Sequence, residues 1–173
     1  MYNKNYVQKE AENIILRKAT LQDKAMLEYW DTKPHVIASS PNETNDWQSM
    51  LSIDAHWWQA FIAELDGRPI GYILLIDPNE EESHYWGEVE PNLRAIDIWI
   101  GEETDLGKGY GTIMMQLAIE KCFSVPEVTG ILIDPLVANL RAIKFYRQMG
   151  FYELGERRFD EDICLVMRLD RMR

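Results

Sequence analysis

Cysteine is scarce in this sequence: Cys122 and Cys164 are the only two in 173 residues, and neither stands in a CxxC pair or near a histidine at ligand spacing. That excludes a disulfide scaffold and argues against a zinc site, leaving two reduced, buried thiols as the expectation. Long apolar runs are missing as well, so no membrane span is expected. Residues Met1 to Glu12 are polar and lack the apolar core of a secretory signal, which makes the cytoplasm the expected compartment and 1–12 a flexible extension. Clusters of Lys and Arg are absent against a net charge of −11. That excludes a nucleic-acid backbone as partner and favours cations, although the same charge would also serve solubility alone. His35, His56 and His84 have no metal-ligand spacing, and no metal is expected.

What is present is a composition 46% hydrophobic and 11% aromatic, too apolar for disorder and long enough for one core, so residues 1–173 are expected to form one domain. Ile14 to Thr20 reads as a strand, and Thr20 caps a helix over Leu21 to Trp30 with Asp23 in its first turn. Thr32 to Thr44, with its prolines, serines and asparagines, reads as a loop before a short helix near Glu43 to Leu51. Trp57–Leu65 and Pro69–Ile76 flank Asp66-Gly67 and predict a hairpin. Asp77 to Asn92 is acidic and fits neither period. Leu93 to Gly101 alternates as a strand, with Ile96, Ile98 and Ile100 on one face and Ala95, Asp97 and Trp99 on the other.

The next stretch, Asp105 to Phe123, sets Gly107, Gly109 and Gly111 before and within the first turn of a helix whose apolar positions are Tyr110, Ile113, Met114, Leu117 and Ala118. A helix entrance offers unpaired N–H groups and partial positive charge, and glycines let an anion approach the backbone, so a phosphate or pyrophosphate is the natural ligand. GxGxG matches neither GxGxxG nor a P-loop, and a flexible strand-to-helix turn is the plainer alternative. Val128 to Ile133 predicts a strand ending at Asp134-Pro135. Asn139 is placed to cap a helix over Leu140 to Met149, and strands over Phe151–Gly155 and Ile163–Leu169 close the chain.

This order of elements, Leu106-Gly-Lys-Gly-Tyr-Gly111 and Asn139-Leu-Arg-Ala-Ile-Lys-Phe-Tyr-Arg-Gln-Met-Gly-Phe151 together resemble the GNAT family of N-acetyltransferases over about Ile14 to Arg168. Leu106 replaces the polar residue that usually opens the family's glycine signature. Within the family, "LGKGYGT", "AIDIWIG" and "DP" followed by "NLRAI" look most like aminoglycoside 6'-N-acetyltransferases. The resemblance implies an α/β (α+β) fold, a single mixed, mostly antiparallel central sheet of six to seven strands flanked by about four helices and splayed between the fourth and fifth strands. It implies acetyl-CoA as cofactor, with the pyrophosphate on the backbone from Leu106 through Gly107, Lys108, Gly109, Tyr110, Gly111 and Thr112. The pantetheine arm would then run between the strand of Asp97, along Ile98 and Ile100, and the strand ending at Asp134, with Asn139, Ala142 and Tyr146 on its other side.

Acetyl transfer to an amine needs the amine made neutral, the oxyanion stabilised and the leaving thiolate protonated. The resemblance gives the last task to Tyr146; without it, Asn139 reads as an N-cap and Tyr146 as a core aromatic. Asp97 leaves the isoleucine face and is the first choice for base or ammonium anchor, with Asp134 second. Trp47, Trp86, Glu88 and Asp160, together with Asp97 and Asp134, are the expected substrate contacts, since aromatic faces and carboxylates both suit a polyamine sugar. The same loops serve equally well as solvated acids and core tryptophans. The expected function is transfer of an acetyl group to a small polycationic amine, foremost the 6'-amino group of aminoglycosides, by direct attack in a ternary complex and by a monomer or homodimer. A siderophore precursor, a polyamine or a protein N-terminus is the alternative acceptor, and a non-catalytic CoA sensor the alternative of another class.

Overall fold

Short apolar runs separated by turn residues give seven strands: β1 Ile14–Lys18, β2 Trp58–Leu65, β3 Arg68–Ile76, β4 Leu93–Ile100, β5 Gly130–Ile133, β6 Tyr152–Phe159 and β7 Asp162–Asp170. These come from a computed structural model that describes residues 13–172; the expected extension, 1–12, lies outside the described residues. Among the described residues five α-helices accompany them, in keeping with the expected about four: α1 Lys24–Trp30, α2 Pro34–Ser39, α3 Trp47–Met50, α4 Tyr110–Phe123 and α5 Leu140–Gln148. The sheet order is β1-β2-β3-β4-β5-β7-β6. Among the described residues β4 and β5 alone run parallel; the other neighbours are antiparallel. The β2–β3 hairpin turns on Asp66 and Gly67, both at positive φ, as a two-residue loop of matching twist requires.

The central strands are buried on both faces. On one, Ile73, Leu75, Ile96 and Ile100 pack against Met114, Met115, Ala118 and Cys122 of α4. On the other, Ile62, Tyr72 and Leu74 lie under Leu27, Trp30 and Trp47 from α1 and α3. Each such aliphatic side chain contributes roughly 1.5–3 kcal/mol of burial, so the core fixes β3 and β4 as a rigid platform. Asp97 is the one acid on β4, in the middle of a strand whose other residues serve packing. A carboxylate there costs stability and calls for another use.

Two local expectations are corrected. The loop expected over Thr32 to Thr44 contains α2, because Pro34 sits in its first turn, where the missing N–H breaks no helical bond and the fixed φ suits the helix. The helix expected near Glu43 to Leu51 shortens to α3, since Asp46 caps it by accepting from Ser49 N–H at 3.1 Å, and Glu43 stays in the α2–α3 loop. Thr20 does form a capping box with Asp23, whose carboxylate also holds Arg17 at 2.7 and 2.9 Å. Asn139 caps α5, its side chain accepting from Ala142 N–H at 3.1 Å.

Candidate active site

The sheet opens where β4 and β5 part. Their pairing runs only from Leu93–Gly130 to Ala95–Leu132, while β4 continues to Ile100 beside β3. Gly101 N–H donates to Ile70 O at 3.0 Å. Backbone groups alternate sides along a strand, so Ile96, Ile98 and Ile100 direct theirs toward the opening. The Ile100 carbonyl is taken there by His35 Nε2 at 2.9 Å, a contact that residue spacing gave no means to find. Ile98 lines the opening itself, with its backbone available to an extended ligand.

A cleft of about 290 Å³ fills the splay, and Asp97, Asp134, Asn139, Ala142, Tyr146 and Trp86 all line it. Trp86 is nevertheless 4% exposed and packs mainly on Leu93 and Phe159. Three expected substrate contacts do not line the cleft. Trp47 is 1% exposed, edge-on to Tyr72 at 5.1 Å, with its indole N–H on Asp31 at 2.6 Å; it is a core plug. Glu88 is exposed elsewhere on the excursion, and Asp160 sits exposed in the β6–β7 turn at φ 48°. Asp162, two residues on, reaches the cleft instead. Glu43, Glu81, Tyr72, Tyr85 and Trp99 also line the wall. Of these, Tyr72 and Trp99 follow from strand alternation once the register Tyr72–Trp99 and Leu74–Asp97 is known.

Five carboxylates, Glu43, Glu81, Asp97, Asp134 and Asp162, share this one cleft and repel one another. The Asp97 side chain is open to the cleft lumen but sits on its floor with protein on every side, and burial first, then Asp134 and Glu43, push its carboxyl well above the usual range. Asp134 rises to about 7, chiefly by burial and further by Glu43, against the Tyr85 hydroxyl that stabilises its charge. Burial also raises Glu43, with Asp162 and Asp31 adding to it. Such a cluster is poised to take up positive charge, because an ammonium relieves both the desolvation and the repulsion. Tyr146 is pushed up by burial, Asp97 and Asp134, so its phenol keeps its proton. Cys164 also lines the cleft, but burial and the neighbouring acids push its thiol up to about 12.

The helix entrance lies just past β4. Gly107 and Gly109 stand at φ 75° and 86°, which other residues adopt at a cost. A Cβ at Gly111 would meet no protein atom within 4 Å, so packing gives no reason for glycine there, whereas close approach of a ligand to the α4 amides does. The buried Asp105 braces the turn by taking Arg68 at 2.7 and 3.2 Å and Lys108 at 3.4 Å, and Arg68 holds its carboxyl below the usual range. Tyr110 turns its ring into the core and Leu106 packs against the same cluster; Tyr110 can meet a ligand by backbone alone, whereas Leu106 N–H donates to Glu103 O at 3.1 Å. Lys108, Gly107 and Thr112 are exposed. The Thr112 N–H, like that of Leu106, is taken within the chain, donating to Gly109 O at 3.1 Å, so of the expected stretch it is Gly107 to Gly111, with an absent Cβ and a splayed strand edge beside them, that fits a pyrophosphate followed by an extended arm.

Comparison with known proteins places this geometry. A family profile described as the acetyltransferase (GNAT) domain matches residues 19–159. Aminoglycoside N(6')-acetyltransferase type 1 of Klebsiella pneumoniae is 32% identical over 153 residues, 83% of this chain and 76% of that protein. A kanamycin resistance protein of Rhizobium radiobacter is 41% identical over 76 residues, 43% of this chain and 70% of its own length. A crystal structure of an aminoglycoside acetyltransferase in complex with coenzyme A and kanamycin shares 31% identity over 91% of this chain and 95% of that one, with a TM-score of 0.82. The splayed sheet, the bare helix entrance and these likenesses agree, and the chain belongs to the GNAT family of N-acetyltransferases, enzymes that use acetyl-CoA.

Proposed function

We propose that this chain acetylates the 6'-amine of aminoglycosides in the cytoplasm, by direct attack within a ternary complex. The observation that carries the acceptor is the wall of Glu43, Asp97, Asp134 and Asp162 interleaved with Tyr72, Tyr85 and Trp99: carboxylates for several ammonium groups, flat faces for sugar rings. The relatives named for aminoglycosides and kanamycin support it. Among the described residues no helix is long and apolar enough to cross a membrane, in keeping with that compartment.

Acetyl-CoA supplies the activated acetyl group. Asp97, assisted by Asp134, holds the reacting ammonium and takes its proton, a task suited to carboxylates raised toward neutrality. The Ile98 N–H, directed at the splayed edge, donates to the carbonyl oxygen as charge gathers on it. Tyr146, kept protonated, delivers a proton to the departing sulfur as the C–S bond breaks and regains one from the nitrogen, which sheds its second proton as the amide forms. Asn139 spends its side-chain oxygen on the α5 cap, which leaves its amide N–H₂ as the contact to the pantetheine arm. Direct attack by the acceptor needs no covalent acetyl-enzyme, and Cys164, its thiol pushed up to about 12 by burial and the neighbouring acids, supplies no thiolate at neutral pH.

The test is thiol release from acetyl-CoA with kanamycin, with paromomycin, which carries a hydroxyl at the 6' position, with spermidine and with a lysine peptide. Turnover with kanamycin, an acetyl group on its 6' nitrogen by NMR and none with paromomycin is the expected outcome. Turnover confined to spermidine or to the peptide overturns the acceptor assignment.

A further inference from the structure

Tyr85 stands in the irregular excursion between β3 and β4, yet its hydroxyl donates to Asp134 Oδ2, at the end of β5, at 2.6 Å. Its ring is held on two sides. It stacks on Phe159 with centroids 4.4 Å apart and planes 9° apart, and it meets the buried Trp86 edge-on at 5.7 Å. Arg157 fastens the same cluster, lying 4.7 Å from the Phe159 centroid and donating to Trp86 O at 2.7 Å. Together these contacts clip the excursion to the β6–β7 hairpin. The stack alone would be served by phenylalanine; what the tyrosine adds is a hydroxyl aimed at one carboxylate oxygen. Among the described residues no other side chain donates to Asp134.

We propose that Tyr85 is a positioning residue for Asp134: its hydroxyl holds Oδ2, fixes the plane of the carboxylate and leaves Oδ1 for the acceptor ammonium. The last clause rests on the acceptor site proposed above; the hydrogen bond and its effect on Asp134 do not. A donor to one oxygen favours the ionised form, and the surroundings otherwise oppose it. Asp97 from β4, Glu43 from the α2–α3 loop, Glu81 from the β3–β4 excursion, Asp162 and Cys164 from β7 and Tyr146 from α5 face the same space, with Arg157 from β6 supplying positive charge. Removal of the Tyr85 hydroxyl leaves Asp134 with its burial and its acidic neighbours, and its protonated form gains.

Carboxyl ¹³C NMR of the free protein labelled at aspartate, with the Asp134 signal assigned by Asp134→Asn, reads this without any acceptor. Tyr85→Phe keeps the ring and its stack on Phe159. The expected result is an upward move of the Asp134 titration by about one unit, together with an equal move of the acid limb of kcat/KM for kanamycin. An Asp134 titration that coincides in wild type and Tyr85→Phe overturns the proposal, whatever the acceptor. A moved titration in a protein that never turns over kanamycin supports the role of Tyr85 and overturns only the acceptor assignment.

Discussion

The glycine turn ahead of α4 and the acidic wall around Asp97 lie along the same strand, one past its end and one at its middle, but they are made of different material. The turn is backbone: Gly107 and Gly109 hold positive φ, and at Gly107 and Gly111 a Cβ would meet open space, so the chain is left bare of side chains there. The wall is side chain: Glu43, Tyr85, Asp97, Asp134 and Asp162 come from five separate segments that meet only because the sheet splays. The first arrangement suits a group shared by every acetyl-CoA enzyme, since amides read phosphate without regard to what is acetylated. The second suits an acceptor, since each carboxylate can change without disturbing the turn.

That division is open to attack by mutation. The largest effect is expected from Asp97→Asn, which should lower kcat/KM for kanamycin by roughly 10²–10⁴ while calorimetric CoA affinity stays near the wild-type value. A comparable loss of CoA binding would mean that the two halves are not separate. Gly111→Ala should act on the other half, raising KM for acetyl-CoA by about tenfold, the cost of pushing a phosphate off its best distance. Because the new Cβ meets open space and alanine favours a helix, thermal stability should hold or rise by up to about 1 kcal/mol. Affinity and stability moving in opposite directions would mark the site as built for a ligand rather than for the fold.

A smaller effect concerns pH. Asp97 and Asp134 have raised pKa values in the folded protein, so the native state binds more protons than the unfolded chain above the ordinary carboxylate range. Stability from this pair therefore falls as pH climbs out of the ordinary carboxylate range toward about 7, where Asp134 titrates, and the raised Asp97 adds to the fall in the same direction. Asp97→Asn should flatten that decline and raise Tm at pH 8 by a few degrees, measured by calorimetry in the absence of ligand. The smallest effects belong to Glu88→Gln and Asp160→Asn. Neither residue lines the cleft, and kanamycin KM should stay within about twofold, as expected for exposed charges.

The same contrast governs what was legible in the sequence. The turn and the Asn139–Phe151 segment are contiguous, so spacing alone laid out their elements and the family pattern named their ligand. Asp97 stood out because an acid in mid-strand has no packing purpose. Glu43 and Tyr85 did not, since their partners lie far along the chain: Asp134 is 49 residues from Tyr85. Trp47 misled for a physical reason, because a tryptophan after a loop fits a binding face and a core equally well until its ring is seen against Tyr72 and its N–H on Asp31. The α2 helix was hidden by Pro34, read as a breaker where it serves as a start.

The most direct test of direct transfer between the two halves is an initial-rate matrix with acetyl-CoA and kanamycin both varied. Occupation of the turn and the wall together, with no acetyl-enzyme, predicts reciprocal plots that intersect. Parallel lines, the mark of a covalent ping-pong course, would contradict it.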